Sequence, residues 1–346
     1  MKILAFCKWL QKEVSLTNMF KNVNKNIKPY KELSNINQLK DSGLIEFIKI
    51  NTEIVYKTEY CEININANYI DIKLLKKIEN LEKVTFISDD RFIIPIFMQG
   101  TQVDGLVPYY ARKIYGEFSE AFNFIKTLKS VILEYTINTK KDDNGIKRLM
   151  VTKDNEEVSF YNASSGIKSL GVIEAIMQYI VQDSEIKSFN TIKRMINLVD
   201  IDKLDTLFEI TKKLFNVEDR TALFIEEPEL SLFPKHQFEL MKYLIEVANK
   251  KDDLSYVFST HSPYILSSFN CFLQASRVKN KAQASKILDM KYWINYNKLQ
   301  AYECKDGFVN SILDSDNGII FAKNIDLINE DLDTIFDNLV DLEINE

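Results

Sequence analysis

The chain is 346 residues long and carries 44 Lys and Arg against 50 Asp and Glu, a net charge of −6, with only two histidines and four cysteines. That length allows one large domain or two modest ones with ample core. The mild acidity argues against a surface coated by nucleic acid, although a local basic patch stays open, and two histidines exclude a histidine-rich metal site. Cys7, Cys61, Cys271 and Cys304 have no metal-ligand spacing, and read as free buried thiols in a reducing compartment. The apolar run Ile3 to Cys7 is broken by Lys8, Gln11 and Lys12, too short for a secretion-signal core. No later stretch approaches a membrane span, so the expectation is a cytoplasmic protein with no membrane partner.

In chain order, Lys2 to Lys12 is helix-forming from the start and has no N-cap residue or capping box. Residues 21–41 are rich in Asn and Lys and read as surface helix and loop. Leu44 to Lys57 and Tyr60 to Ile72 alternate apolar and polar residues, the pattern of antiparallel strands with one wet face, with a turn at Asn66-Ala67-Asn68. Leu74 to Leu81 reads as a short helix, and Lys83 to Ser88 as a strand that ends in Asp89-Asp90-Arg91. Tyr109 to Leu133 places Tyr110, Ile114, Phe118, Phe122, Ile125, Leu128 and Ile132 at helical spacing. Those aromatics share a face with aliphatics, so core packing is favoured over base stacking. Arg148 to Val151 and Val158 to Tyr161 form a hairpin leading into Ser164-Ser165-Gly166. Glu185 to Val217 is a charged helix; Leu266 to Phe272 is helical, Trp293-Ile294 and Leu299 to Cys304 are strands, and Leu327 to Leu342 is an acidic amphipathic helix.

The most informative stretch is Thr221 to Leu266. Ala222 to Ile225 is a continuous apolar run, as a strand covered on both faces requires, and Glu226 and Glu227 follow at once, with Pro228 stopping the strand. Adjacent carboxylates at the end of a buried strand are costly unless a cation or a reacting water uses them. Tyr256 to Phe258 repeats the design and delivers Ser259, Thr260, His261 and Ser262 before Pro263. Between them Phe238, Met241, Leu244, Ile245 and Ala248 sit at helical spacing, so the unit reads strand-helix-strand, the length of a parallel crossover.

Leu223-Phe224-Ile225-Glu226-Glu227-Pro228-Glu229 resembles the Walker B strand and catalytic glutamate of ABC-type ATPases. Leu230-Ser231-Leu232-Phe233-Pro234 resembles the loop that follows it at the dimer seam, and Ser259-Thr260-His261-Ser262-Pro263 the switch-histidine segment. Asn162-Ala163-Ser164-Ser165-Gly166 is similar to the signature motif, with Ile167 to Ile180 as its helix. In order and spacing these segments resemble the AAA-like ABC ATPases related to the heads of SMC and overcoming-lysogenization-defect proteins. No Gly-x-x-x-x-Gly-Lys-Ser/Thr occurs in the sequence. Because the first helix resembles the one that follows the phosphate loop, the expectation is a chain starting just after that loop; a degenerate ATPase is the competing reading.

The resemblance implies an α/β fold of the P-loop NTPase kind: a parallel-sheet core, a small antiparallel β part at 44–72, a helical insertion at 105–220 carrying the signature motif, and the core and tail at 221–346, all one ABC ATPase-like domain. It implies ATP and Mg²⁺ as ligands. Glu226 would hold Mg²⁺, which prefers oxygen ligands and keeps much of its water; Glu227 would act as general base; His261 would contact the γ-phosphate. Ser164, Ser165 and Gly166 would close the site of a partner subunit, presenting N–H groups and a positive helix end to phosphate, so that two heads form a homodimer around ATP. An ordinary serine N-cap at Ser164-Ser165, a solvated strand end at Glu226-Glu227 and an Asp–Arg pair fixing a loop at Asp90-Arg91 are the plainer alternatives. In the family an acidic–arginine pair at that strand end lies near the nucleotide or the seam. Gln99 and Gln102 are candidates for a metal-contacting glutamine that stays unassigned. The head would drive a partner, an effector nuclease or DNA, in a repair or phage-defence setting; a non-hydrolysing binding and assembly module is the alternative. No second carboxylate cluster resembling a Toprim nuclease is found.

Overall fold

A computed structural model describes residues 1–21, 37–76, 81–98, 109–141, 147–182 and 219–321. The readings for Gln99, Gln102, Glu185 to Val217 and Leu327 to Leu342 lie outside them. The described residues divide into two compact units, Met1–Leu230 with Asp253–Ser259, and Ser231–Asp252 with Thr260–Glu346.

The first unit is built on a parallel sheet in the order β10-β9-β4, with β4 Leu81–Ile87, β9 Asp219–Glu226 and β10 Leu254–Ser259. Its register pairs Ile87 with Ile225 and Ser259 with Glu226, so all three strands finish at one edge. Ala222, Leu223, Phe224 and Ile225 are all fully buried, which is why this strand has no polar alternation. One face of the sheet, Val84, Phe86, Ala222 and Phe224, packs with Ala5, Phe6, Cys7 and Leu10 of helix α1 (Lys2–Lys21) and with Cys61, Ile63 and Ile65. Those last residues come from a three-stranded antiparallel sheet, β1 Ile54–Lys57, β2 Cys61–Ile65 and β3 Ile70–Leu74. The Asn66 side chain accepts from the amides of Asn68 and Tyr69, which makes the β2–β3 turn. Toward the other face, Thr85 donates to Glu117 of α4 (Tyr109–Ile125) and Tyr256 to the Met177 sulfur of α5 (Ser165–Gln182). Short helices α2 (Asn37–Asp41) and α3 (Ile94–Phe97) also belong to this unit.

A second antiparallel sheet, ordered β5-β6-β7-β8, follows α4: Thr127–Lys129, Thr136–Lys141, Lys147–Lys153 and Glu156–Ser159. Asp154 and Asn155 both have positive φ, 50° and 65°, the two-residue turn whose twist suits a tight hairpin. Gly171 of α5 is required by close approach: a Cβ there would meet the Ile137 side chain at 3.1 Å and the Phe160 ring at 3.2 Å.

Several sequence expectations need correction. The helix predicted to reach Leu133 ends at Ile125, because Lys126 turns left-handed (φ 62°) and Leu128 enters β5 as a buried strand residue. Leu44–Phe47 is a 3-10 turn, so the strand begins only at Ile54. Leu74 closes β3 and Leu81 opens β4, so neither is part of a short helix. Cys7 and Cys61 are buried but Cys271 and Cys304 are exposed.

The second unit holds α6 (Pro234–Lys250), α7 (Pro263–Arg277), α8 (Lys281–Ile287) and two small hairpins, β11 Tyr302–Lys305 with β12 Phe308–Ser311, and β13 Leu313–Asp314 with β14 Ile319–Ile320. The helices pack through Leu240, Leu244, Phe269, Phe272 and Leu273, with the Phe238 and Phe272 rings stacked at 5.8 Å. Trp293 and Ile294 are not a ladder strand. The Trp293 indole donates to the Leu288 carbonyl and its own carbonyl accepts from Asn249.

One buried acid makes the first unit sensitive to pH. Glu174 of α5 is fully buried and accepts from the Val131 amide (2.9 Å) and the Tyr135 hydroxyl (3.2 Å); burial raises its pKa from 4.5 to about 7 despite those bonds. The folded state therefore holds this proton more tightly than the unfolded chain. Its contribution to stability is complete below about pH 4.5 and is lost as pH rises to about 7, a change on the order of 3 kcal/mol. Glu174→Gln keeps the bond from the Val131 amide on its Oε1, presents its Nε2 as a donor to the Tyr135 oxygen, and removes the titration. Thermal melts from pH 5 to 8 are expected to show the variant gaining on the wild type as pH rises, and parallel curves would refute the assignment.

Candidate functional site

The site is assembled at the common end of the three parallel strands. Glu226 is the last residue of the central strand β9 and faces Ser259 in register. Glu227 then leaves the ladder at φ 43°, a left-handed conformation that costs a residue with a Cβ on the order of 1 kcal/mol or more. Backbone hydrogen bonds hold it there: its amide donates to the Ser259 carbonyl at 2.8 Å, and its carbonyl accepts from the Leu230 amide at 2.9 Å. Pro228, buried, prevents the chain from resuming a strand.

Arg91 lies beneath this turn and is fully buried. Its Nε donates to Ser169 Oγ of α5 at 2.7 Å, Nη1 to the carbonyls of Ser88 (3.1 Å) and Glu226 (2.7 Å), and Nη2 to the Glu227 carbonyl at 2.5 Å. Burial lowers its pKa to about 10, and the carboxylates of Glu229, Asp89, Glu227 and Glu226 oppose that fall, so the group remains cationic at neutral pH. The Asp90–Arg91 pair, for which a loop-fixing pair is the plainer expectation, is thus a buried arginine whose described hydrogen bonds go to backbone carbonyls and a serine.

Acid is in excess at this edge. Asp89, Asp90, Glu226, Glu227 and Glu229 surround Arg91 and Lys2. Burial raises the pKa of Glu226 above the usual carboxylate range; Lys2 opposes the rise and Asp89 adds to it. Asp90 is raised by burial and by Asp89, with Lys2 again opposing. The Lys2 ammonium, at the start of α1, lies 3.5 Å from Glu226 Oε2, an ion pair that is not a hydrogen bond, since that buried oxygen makes none among the described residues. The Ser88 hydroxyl at the end of β4 is also buried and makes no hydrogen bond among the described residues. Buried oxygens short of donors fit a hard cation. Among the described residues no three Asp, Glu, His or Cys side chains converge as a metal-ligand set. Magnesium, which keeps several waters and takes few protein carboxylates, fits Glu226 better than a metal needing a full protein cage would.

Ser164, Ser165 and Gly166 open α5. Ser164 is exposed and its Oγ accepts from the Ile167 amide at 3.4 Å, so the capping role is present; Ser165 is exposed beside it and Gly166 is half-buried. Ser169, a little over one turn further along the same helix, is the residue that Arg91 grips. Within the first unit the structure therefore brings together Glu226, Glu227 and, through Arg91, the helix that begins at Ser164. His261 is exposed and belongs to the second unit, two residues beyond the end of β10. It precedes Ser262, whose hydroxyl caps α7 by accepting from the Tyr264 and Ile265 amides and donates to Gln237 Oε1 at 2.6 Å. Gln237 also donates to the Leu232 carbonyl, tying the loop after Pro228 to the histidine segment. The sequence names Arg91 only as half of an acidic–arginine pair, with a loop-fixing role favoured, and does not single out Gln237.

A family model described as an AAA domain, a candidate AbiEii toxin of a type IV TA system, matches residues 62–267, well over half of the chain. The chain belongs to this AAA family. With membership comes a P-loop NTPase-type α/β fold and the nucleotide-binding ATPase character of AAA domains, which generally bind ATP with Mg²⁺. The matched span contains β4, β9, β10, Arg91, Ser164–Gly166, Glu226, Glu227 and His261. No curated protein matches the chain. Among the described residues no helix is long and apolar enough to cross a membrane.

The Lys2–Glu226 pair sets up a competition between two cations for one carboxylate. Lys2→Met is expected to raise the affinity for Mn²⁺, a paramagnetic stand-in for Mg²⁺, about fivefold at pH 8 by electron paramagnetic resonance titration. Glu226→Gln should abolish the gain, and equal affinities in Lys2→Met and wild type would show that Lys2 does not guard the site.

Proposed function

We propose that the chain is the ATP-hydrolysing head of an ABC-type switch, which forms a homodimer around MgATP and is released by hydrolysis. The observation that carries this reading is the pair of consecutive carboxylates at the end of the central parallel strand, the second turned out of the sheet at positive φ and pinned to the neighbouring strand. Glu226 would hold Mg²⁺ through water, and the cation when bound supplies charge neutralisation for the phosphates. Glu227, free of the ladder, would orient water and accept its proton. His261 would contact the γ-phosphate, and Ser164, Ser165 and Gly166 would close the site of the other subunit from the amino end of α5. The relation to SMC and overcoming-lysogenization-defect heads, and the single-domain organisation with parts at 44–72, 105–220 and 221–346, belong to this proposal. So does a partner such as an effector nuclease or DNA; the toxin–antitoxin wording of the family description favours a phage-defence setting.

A non-hydrolysing binding module is the second reading, and one observation favours it: the 346 residues contain no Gly-x-x-x-x-Gly-Lys-Ser/Thr to cradle phosphates and supply a lysine. Residues 1–346 alone are therefore expected to bind ATP weakly and to turn it over little; robust phosphate release from them would contradict the need for an added loop. In a version carrying that loop, Glu227→Gln should cut turnover by about 10²–10⁴ and trap an ATP-bound dimer in sedimentation velocity. Undiminished hydrolysis would remove Glu227 from its role, and a monomer at saturating MgATP would favour the second reading.

A further inference from the structure

We propose that Arg91 is a positioning residue that couples α5 to the backbone at Glu226–Glu227, so that a displacement of α5 is transmitted to the candidate general base. The functional meaning of this coupling rests on the ATPase reading above; the coupling itself rests on geometry. One planar guanidinium is shared among three elements: Ser169 of α5, Ser88 at the end of β4, and the carbonyls of Glu226 and Glu227 at the end of β9. A guanidinium holds its donors in a fixed plane. A shift of Ser169 therefore cannot be absorbed at Nε alone; it rotates the fork that grips Glu226 and Glu227.

Both ends of this link are stiff. From Ser169 to Met177 every residue of α5 is buried, and Glu174 ties the helix to the Val131 amide and the Tyr135 hydroxyl. The Glu227 turn is held at φ 43° by hydrogen bonds on either side of the residue. It has few neighbouring conformations to relax into, because the left-handed region is narrow for a residue with a Cβ. A staple that only joined the two strand ends would need the carbonyl contacts and nothing more. The 2.7 Å bond from Nε to Ser169 is the additional contact that reaches the helix. Ser169 is five residues along α5 from Ser164, within the first turns of the helix that starts at the exposed serines.

The test removes the helix end of the link while leaving the arginine in place. In the full chain without nucleotide, peptide-resolved hydrogen exchange over 225–232 reports the amides of Glu227 and Leu230, and peptides over 136–153 serve as the reference for general loosening. Ser169→Ala is expected to speed exchange at 225–232 about tenfold relative to the reference peptides, and Ser169→Thr, which keeps the hydroxyl, to return it to within about twofold of wild type. Arg91→Lys keeps the charge and loses the fork, and is expected to match Ser169→Ala. If the threonine variant does not fold, the alanine and lysine variants decide the matter. Wild-type exchange at 225–232 in Ser169→Ala, or acceleration spread equally over the reference peptides, overturns the proposal.

Titration of the same proteins with a fluorescent ATP analogue separates this outcome from the fate of the ATPase reading. Local acceleration in a chain that binds no nucleotide, even with a phosphate loop supplied, sinks the reading and leaves the coupling. Nucleotide binding with unchanged exchange does the reverse.

Discussion

The first unit depends on a buried positive charge placed where three backbone carbonyls at two strand ends need donors. At the carboxyl end of a parallel sheet, backbone carbonyls point out of the last residues with no further strand to receive them, and burying them unpaired is costly. Arg91 answers that need for Ser88, Glu226 and Glu227 with one side chain. The cost of sinking the guanidinium is offset by the carboxylates of Glu229, Asp89, Glu227 and Glu226 around it. Those carboxylates are in turn tolerated so close together because of the arginine. Neither the acid-rich strand end nor the buried cation is a reasonable structure without the other.

That mutual dependence explains why this edge of the sheet has capacity for chemistry. Glu226 keeps a buried oxygen that makes no hydrogen bond among the described residues, with the partly exposed Lys2 ammonium 3.5 Å away. Glu227 is held in a strained conformation by its neighbours. Residual charge and stored strain at one locus are the conditions under which a fold departs from its most stable solution for the sake of function. By contrast Glu174, more deeply buried, has both its oxygens bonded and serves the packing of α5 against the second antiparallel sheet.

How much of this was legible in the sequence follows from how local each signal is. The uninterrupted apolar run Ala222 to Ile225 announced a strand covered on both faces, and the two glutamates after it announced the edge. Asn66 announced its own turn, because an Asx side chain bonds two or three residues ahead. Arg91 could not be read this way. Apart from the Ser88 carbonyl three residues back, its partners lie 78, 135 and 136 residues away, and two of those three are carbonyls, which every residue has. The helix boundary at Ile125 was missed for a related reason: Leu128 and Ile132 continue the helical spacing by coincidence, while the break is made by the left-handed turn of Lys126, a residue with no turn signature. Trp293 was mistaken for a strand residue because its β propensity is real and its actual bonds, to Leu288 and Asn249, are irregular.

The left-handed backbone at Glu227 also records history. Glycine would adopt that conformation without penalty, and asparagine nearly so; on the proposed role of Glu227 as general base, use of the carboxylate is what keeps a glutamate there. A lineage that stopped using the carboxylate would drift toward glycine or asparagine at position 227, and the fold would grow more stable as it did so. The residue found at this one turn thus offers a way to tell working descendants of this chain from retired ones, before any of them is assayed.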